Sequence, residues 1–345
     1  MKILAFLTLF VSFAIFAKPG INYKLIPKDA DVFGYVSTKS FMKNKHLKKF
    51  MKTKDAKDAM KKMKKMGIDI KKLGSISFHS NFESLMKNKK NAKNADFSVI
   101  LHGISLENMA KLQLKKAKDA KTQKYNGTTI YQDIKVKNNE KGKFDAVAFF
   151  NNNTILGSVI GVKKVIDANK GKNFTKKKMI NKLLSTLKSP EFFVLNIVQA
   201  SQKALIQQAI TKNQANPAVA MIGLNSLANN IKLFAFAGNL TNKKLKLTFL
   251  LKADKAGVAS FTQTLNMQFK NFKPMLEQQI NAYSKIVGKD AAKELKSIMN
   301  SLKIVAKGDL ALISIVINID NSVRIIKKLQ KKQGKQPNMM MKMKR

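Results

Sequence analysis

The chain has 345 residues and a formal net charge of +46, from 66 basic and 20 acidic residues, with 45% apolar residues and no cysteine. That length suits two domains or one large two-lobed domain, and the apolar fraction excludes disorder along the whole chain. The lack of cysteine excludes a disulfide framework and thiol chemistry.

The charge is evenly spread: residues 1–172 and 173–345 each carry +23. Nearly all of it is lysine, since Arg324 and Arg345 are the only arginines. Arginine supplies the bidentate contacts of base-edge recognition, so its scarcity argues against a sequence-reading nucleic-acid binder. Two readings of the charge stand side by side. One is a compositional bias of solvated faces; the other is a surface that adsorbs to a polyanion.

Met1–Ala17 (MKILAFLTLFVSFAIFA) carries Lys2 and an apolar run of 15 residues, Ile3–Ala17. Small residues stand at Ser12, Ala14 and Ala17. This fits a signal peptide cleaved after Ala17, because a spanning helix needs about 20 apolar residues.

Val32–Ser37 reads as a strand, with Thr38 placed to cap a following helix. Phe41, Leu47, Phe50, Met51, Ala56, Met60 and Met63 then recur at helical spacing, and Gly67-Ile68-Asp69 ends that region. Ser75–His79 and Phe97–His102 read as strands around a Lys/Asn-rich loop, Ser84–Asn94. Ser105–Lys118 reads as a helix, with Glu107 near its start as the helix dipole prefers. Tyr125-Asn126-Gly127-Thr128 is a hairpin signal.

Phe144–Lys172 predicts a hairpin turning at Asn151–Asn153 and feeding a helix that stops at Lys170-Gly171. Gly157-Ser158-Val159-Ile160-Gly161 falls within the expected strand and marks a bend or close packing. Lys176–Ser189 reads as a bridge. Phe192–Val198 is a further strand, and Ser201–Thr211 a helix. Another helix opens at Pro217. Ile231–Ala237 and Leu245–Lys252 form a hairpin around Thr241-Asn242-Lys243. Ala256–Val287 is a long helix that Pro274 should kink or split. Asp290–Leu302 is another helix.

Leu302–Lys335 repeats the hairpin–helix pattern of Phe144–Lys172. At an offset of 156, Ala146 maps to Leu302, Asn151 to Lys307 and Ser158 to Ser314. The expectation is an α+β fold: two diverged copies of a mainly antiparallel sheet with helices, at 18–189 and 190–332, then a disordered basic tail, 333–345.

Signals for chemistry are few. His46, His79 and His102 lack metal-ligand spacing, and an outward-facing polar pair is expected at His79 and His102. GxxxxGK[ST], GxGxxG and GxSxG are absent. Asp29/Asp31 flank a strand, where capping suffices, and Asp55/Asp58 sit on a Lys-rich helix, where ion pairing suffices. Convergence of three or more of the few acids and histidines in one cleft would point to an enzyme; without it, a non-catalytic protein with no cofactor and no metal is expected.

Ile26-Pro27-Lys28-Asp29-Ala30-Asp31-Val32-Phe33-Gly34-Tyr35-Val36-Ser37 resembles the opening of uncharacterised bacterial exported proteins, which follow a signal peptide with a Pro-x-Asp-Ala element and a YVS-like strand. Met66-Gly67-Ile68-Asp69 resembles their step from first helices to sheet, and Asn153–Lys172 the close of their first half. The resemblance implies export to the periplasm or cell surface and an internal duplication. It brings no functional residues.

The resulting expectation is an exported scaffold of the bacterial envelope that associates with lipopolysaccharide, teichoic acid or acidic lipid. The candidate residues are Lys48, Lys49 and Lys52; Lys61, Lys62, Lys64 and Lys65; Lys176, Lys177 and Lys178; and Lys327, Lys328, Lys331 and Lys332. The alternative is a carrier or chaperone, with a hydrophobic ligand in a groove between the sheet and Met/Phe-rich helices.

Overall fold

The computed structural model describes residues 21–38, 54–65, 72–88, 94–107, 121–132, 145–188, 190–212, 230–241 and 243–322, with the single positions 42, 48, 51, 52, 111, 324 and 325. One 12-stranded sheet organises them, and every strand pair is antiparallel. The strands are β1 Val32–Ser37, β2 Ser75–Ser80, β3 Phe97–His102, β4 Lys121–Tyr125, β5 Thr128–Gln132, β6 Ala146–Phe150, β7 Asn153–Gly157, β8 Phe192–Ile197, β9 Leu233–Leu240, β10 Lys244–Lys252, β11 Lys303–Lys307 and β12 Leu310–Asn318. The helices are α1 Lys54–Lys65, α2 Phe82–Lys87, α3 Val159–Asn169, α4 Lys177–Thr186, α5 Ala200–Lys212, α6 Lys255–Val287 and α7 Lys289–Asn300, with a 3-10 turn at Tyr23–Leu25. The fold is α+β, as the hairpin-rich sequence predicts.

The spatial order is β11-β12-β10-β9-β8-β1-β2-β3-β7-β6-β5-β4. β1 and β8 meet in the middle, with Tyr35 opposite Phe193. Reading outward, one side runs β1, β2, β3 and then the β7/β6 hairpin, with β5/β4 beyond. The other runs β8, β9, β10 and then the β12/β11 hairpin.

Period-2 alternation sends the strand residues to two faces. One face carries Phe33, Tyr35, Phe193, Leu195, Ala235 and Leu250, packed with Ile180, Leu183 and Leu184 of α4. Further along it, Ile100, Ile130, Ala146, Ala148 and Ile155 pack with Val162, Val165 and Ile166 of α3. The segment before β1 joins the two clusters: Leu25 packs into the α3 cluster and Ile26 into the α4 cluster. On the opposite face, Phe261 and Val258 of α6 cover Leu251 and Ala311.

The asparagine turns are as predicted. Asn126, Asn151 and Asn152 all have positive φ, which asparagine tolerates. Gly171, with φ +109°, ends α3.

Several expectations are corrected. Lys176–Ser189 is not a plain bridge: α4 forms there, because Ile180, Leu183, Leu184 and Leu187 recur at helical spacing and are buried. α2 occupies the start of the expected Ser84–Asn94 loop, capped by the Asn81 side chain, which accepts from Ser84 N–H. Ser158 does not lie in a strand; it caps α3 by accepting from Gly161 N–H. α6 runs unbroken through Pro274. Pro274 is exposed, so water can satisfy the carbonyl that loses its donor. Ser314 lies within β12, opposite Lys303 and Thr248, so it is not the counterpart of Ser158. β12 is a nine-residue strand against five for β7, and Asn318 is the residue at its end that accepts from the backbone three positions on.

Thr38 donates its hydroxyl to the Leu73 carbonyl. The expected helices at Ser105–Lys118 and from Pro217 fall wholly or largely outside the described residues, as do the tail 333–345 and Met1–Ala17.

Candidate functional site

The predicted lysines separate into three groups. Lys176, at the N-cap of α4, and Lys177 and Lys178, in its first turn, are exposed, while Ile180, Leu183 and Leu184 further along the helix are buried. Lys48, Lys52, Lys61 and Lys64 are also exposed, and Lys62 and Lys65 lie on α1. Lys49, Lys327, Lys328, Lys331 and Lys332 lie outside the described residues.

Around α4 the structure adds lysines that clustering in the sequence did not single out. Lys170 and Lys172, in the α3–α4 connection, are exposed, and so is Lys182 on α4. The Lys163 ammonium stands 5.2 Å from the Tyr125 ring centroid, and that of Lys177 5.6 Å from the Tyr23 ring. Such contacts hold a cation over a fixed aromatic face. Tyr23 donates to Asn181 Oδ1 at 2.6 Å, and burial pushes its hydroxyl pKa up to about 12. Asp167 is the acid of this region. It accepts from Asn126 Nδ2 at 2.7 Å and from the Tyr125 hydroxyl at 3.0 Å, with Lys172 at 3.7 Å.

A second cluster was not legible in the sequence. Lys164, on the inner side of α3, binds Asp96 Oδ2 at 2.6 Å and also Asp29. Asp31 Oδ1 accepts from Phe82 N–H at 2.7 Å, at the start of α2. Asp31 thus has a structural role, as its position flanking a strand suggested, but toward a helix 51 residues away. Asp31 and Asp96 are buried, and burial raises both carboxyls above the ordinary range. Asp31 Oδ2 and Asp96 Oδ1 have no hydrogen-bond donor among the described residues. Burial works against the Lys164 ammonium, but its bonds to Asp29 and Asp96 raise its pKa on balance.

The histidines correct the expectation of an outward-facing pair. His79 is 1% exposed, with Nε2 2.6 Å from the Ser98 hydroxyl. His102 Nε2 is 2.8 Å from the Ser77 hydroxyl. Antiparallel register puts His79 opposite Ser98 and His102 opposite Ser75, so the rings sit at opposite ends of the strand pair. Both occupy the inner face, on a Ser/His seam between the two apolar clusters. Burial drives the His79 pKa down to about 3 and that of His102 to about 4.

Three acids, a histidine and a lysine therefore converge, yet His79, Asp31 and Asp96 are buried. Among the described residues no group of three acids or histidines is arranged to hold a metal ion. The contacts observed hold elements together: Lys164 joins α3 to the strand entrances, and Asp31 anchors α2. Asp29 and Asp31 were visible as a doublet. Asp96 and Lys164 gave no local signal, since their meeting depends on the fold.

The opposite sheet face offers a different surface. Phe236, on the interior strand β9, is 37% exposed and stands 5.9 Å from the Phe192 ring. Half-buried Leu245 and Leu247 pack beside Phe192.

No family model and no curated protein matches the chain. The chain is similar to three crystal forms of TP0453. Form III aligns with a TM-score of 0.45 at 11% identity, covering 90% of this chain and 99% of that chain. Form I gives 0.43 at 12%, covering 90% and 98%, and form IV gives 0.42 at 11%, covering 88% and 95%. No helix among the described residues is long and apolar enough to cross a membrane.

Proposed function

We propose that this protein is a non-catalytic, exported binding protein of the bacterial envelope, which associates through lysines with anionic envelope polymers or lipids. The observation that carries this reading is the run of exposed lysines, Lys176–Lys178, at the start of α4, a helix held in place by buried Ile180, Leu183 and Leu184. A cation on a fixed backbone loses less freedom when it meets an anion than one on a frayed end. The sequence of Met1–Ala17 supports export. The matching outward strand order on either side of β1/β8 supports descent from two copies of one unit.

The test is a salt titration. The purified chain is mixed with the producing organism's envelope fraction while NaCl rises from about 50 mM to 1 M, where the Debye length falls to about 3 Å. Binding should collapse with salt. Binding that persists at 1 M contradicts the reading.

The exposed Phe236 favours a second reading, a carrier of an apolar ligand on the other face of the sheet. It predicts binding that survives high salt and is weakened by Phe236→Ser.

A further inference from the structure

The charge is even along the chain but uneven over the fold. Residues 159–188, which span α3, its connection and α4, contain nine lysines and one acid, net +8 in 30 residues. Residues 254–301, which span α6 and α7, contain seven lysines and four acids, net +3 in 48 residues. The two helix pairs lie on opposite faces of the sheet.

The acids near α3 and α4 are also engaged. Asp167 is taken by Tyr125, Asn126 and Lys172, Asp29 and Asp96 by Lys164, and Asp309 by Lys252. Lys170, Lys176, Lys177 and Lys178 are exposed and form no ion pair among the described residues. Like charges held this close repel one another, and a multivalent anion relieves that cost at every contact it makes.

The platform beneath them is fixed. Val162, Val165 and Ile166 anchor α3, and Ile180, Leu183 and Leu184 anchor α4; all six are buried. The surface also lacks apolar anchors: on α3 and α4 the only large apolar side chain among the exposed ones is Ile160. A helix that seats in a lipid interface presents a broad apolar face beside its cations. Wet cations without that face suit a dissolved polymer.

We propose that the α3–α4 surface, centred on Lys170, Lys176, Lys177 and Lys178, is the docking face for a linear phosphate-bearing polymer. This rests on the polyanion reading above and gives it one face and one ligand chemistry. Lys177 in that centre is poised over the Tyr23 ring, and Lys163, poised over the Tyr125 ring, flanks it with Lys172 and Lys182.

Two variants of equal charge change test it. One carries K170E, K176E, K177E and K178E; the other carries K255E, K270E, K289E and K293E, all exposed positions on α6 and α7. Glutamate at 176–178, at the N-terminus of α4, suits the helix dipole, and glutamate at exposed position 170, at the C-terminus of α3, is only mildly unfavourable, so the first variant should keep its fold, as circular dichroism would verify. Binding to inorganic polyphosphate is measured at about 50 mM salt. The account expects the α3–α4 variant to lose affinity about tenfold or more and the α6–α7 variant less than about threefold. Equal losses overturn the assignment to one face while leaving the polyanion reading intact. Binding of phosphatidylserine vesicles by the original chain, without binding of polyphosphate, overturns the polymer assignment. Failure to bind polyphosphate, vesicles or the envelope fraction overturns both readings.

Discussion

α3 and the outer part of α6 are both helices with an apolar stripe, and they end up in different situations. α3 lies along the sheet, and Gly161, Val162, Val165, Ile166 and Ala168 are all buried. α6 starts in the same way, with Val258 and Phe261 buried, but from Asn266 to Ile280 none of its residues is buried. Phe272 and Met275 stay exposed although they continue the stripe of Phe261 and Leu265. The sequence period is similar in both; what differs is how much sheet lies beneath. Amphipathic spacing identifies the side of a helix that can be buried, and the extent of the sheet decides how much of that side is.

The largest separation between the two helices should come from truncating each stripe. Ile166→Ala in α3 removes a fully buried side chain and should cost about 3 kcal/mol in urea unfolding, with Phe272→Ala in α6 costing less than about 1 kcal/mol. Equal costs would break the comparison.

The histidines beneath the α3 side give the next effect. An ordinary histidine titrates near pH 6.5, whereas His79 and His102 titrate at about 3 and about 4 in the folded chain. Below about pH 6.5 the unfolded chain takes up protons that the folded chain refuses. Stability is therefore fully present above that pH and is lost as pH falls toward 4. Asp31 and Asp96 act in the opposite sense, because their raised folded pKa makes the folded chain hold protons more tightly as pH falls. By linkage each histidine should contribute a loss of about 3 kcal/mol between pH 7 and pH 4, which the aspartates offset in part, and His79→Gln should reduce the loss. Stability that is flat over this range would contradict the placement of both rings.

A smaller change sharpens the α3 side. Gly161 in α3 faces Phe97 so closely that a Cβ would collide with the Phe97 carbonyl oxygen. Gly161→Ala should destabilise by about 1–3 kcal/mol despite the better helix propensity of alanine. At the small end, Met267→Ala on exposed α6 should shift stability by less than about 0.5 kcal/mol.

Local signals in the sequence carried most of the sheet. Asn126-Gly127 and Asn151-Asn152 announced their turns, because few residues other than asparagine and glycine accept positive φ there. Apolar runs such as Phe192–Val198 announced strands. α4 was missed because its lysines mask a short stripe of Ile180, Leu183 and Leu184. Pro274 does not split α6, since a proline on an exposed helix side can be accommodated. For the site, the lysines of α4 were legible as a run, while Lys170 and Lys172 join them only because α3 ends where α4 begins. The Lys164–Asp96 contact joins residues 68 apart, and nothing local marks it. Strand register, which set the histidines apart and turned them inward, was not legible from His79 and His102 alone.

The most direct measurement is lysine footprinting: acetylation rates of individual lysines in the whole chain, with and without bound inorganic polyphosphate. The account predicts protection of Lys170, Lys176, Lys177 and Lys178 and unchanged rates at Lys255, Lys270, Lys289 and Lys293. Protection spread equally over both groups, or confined to the α6–α7 lysines, would contradict it.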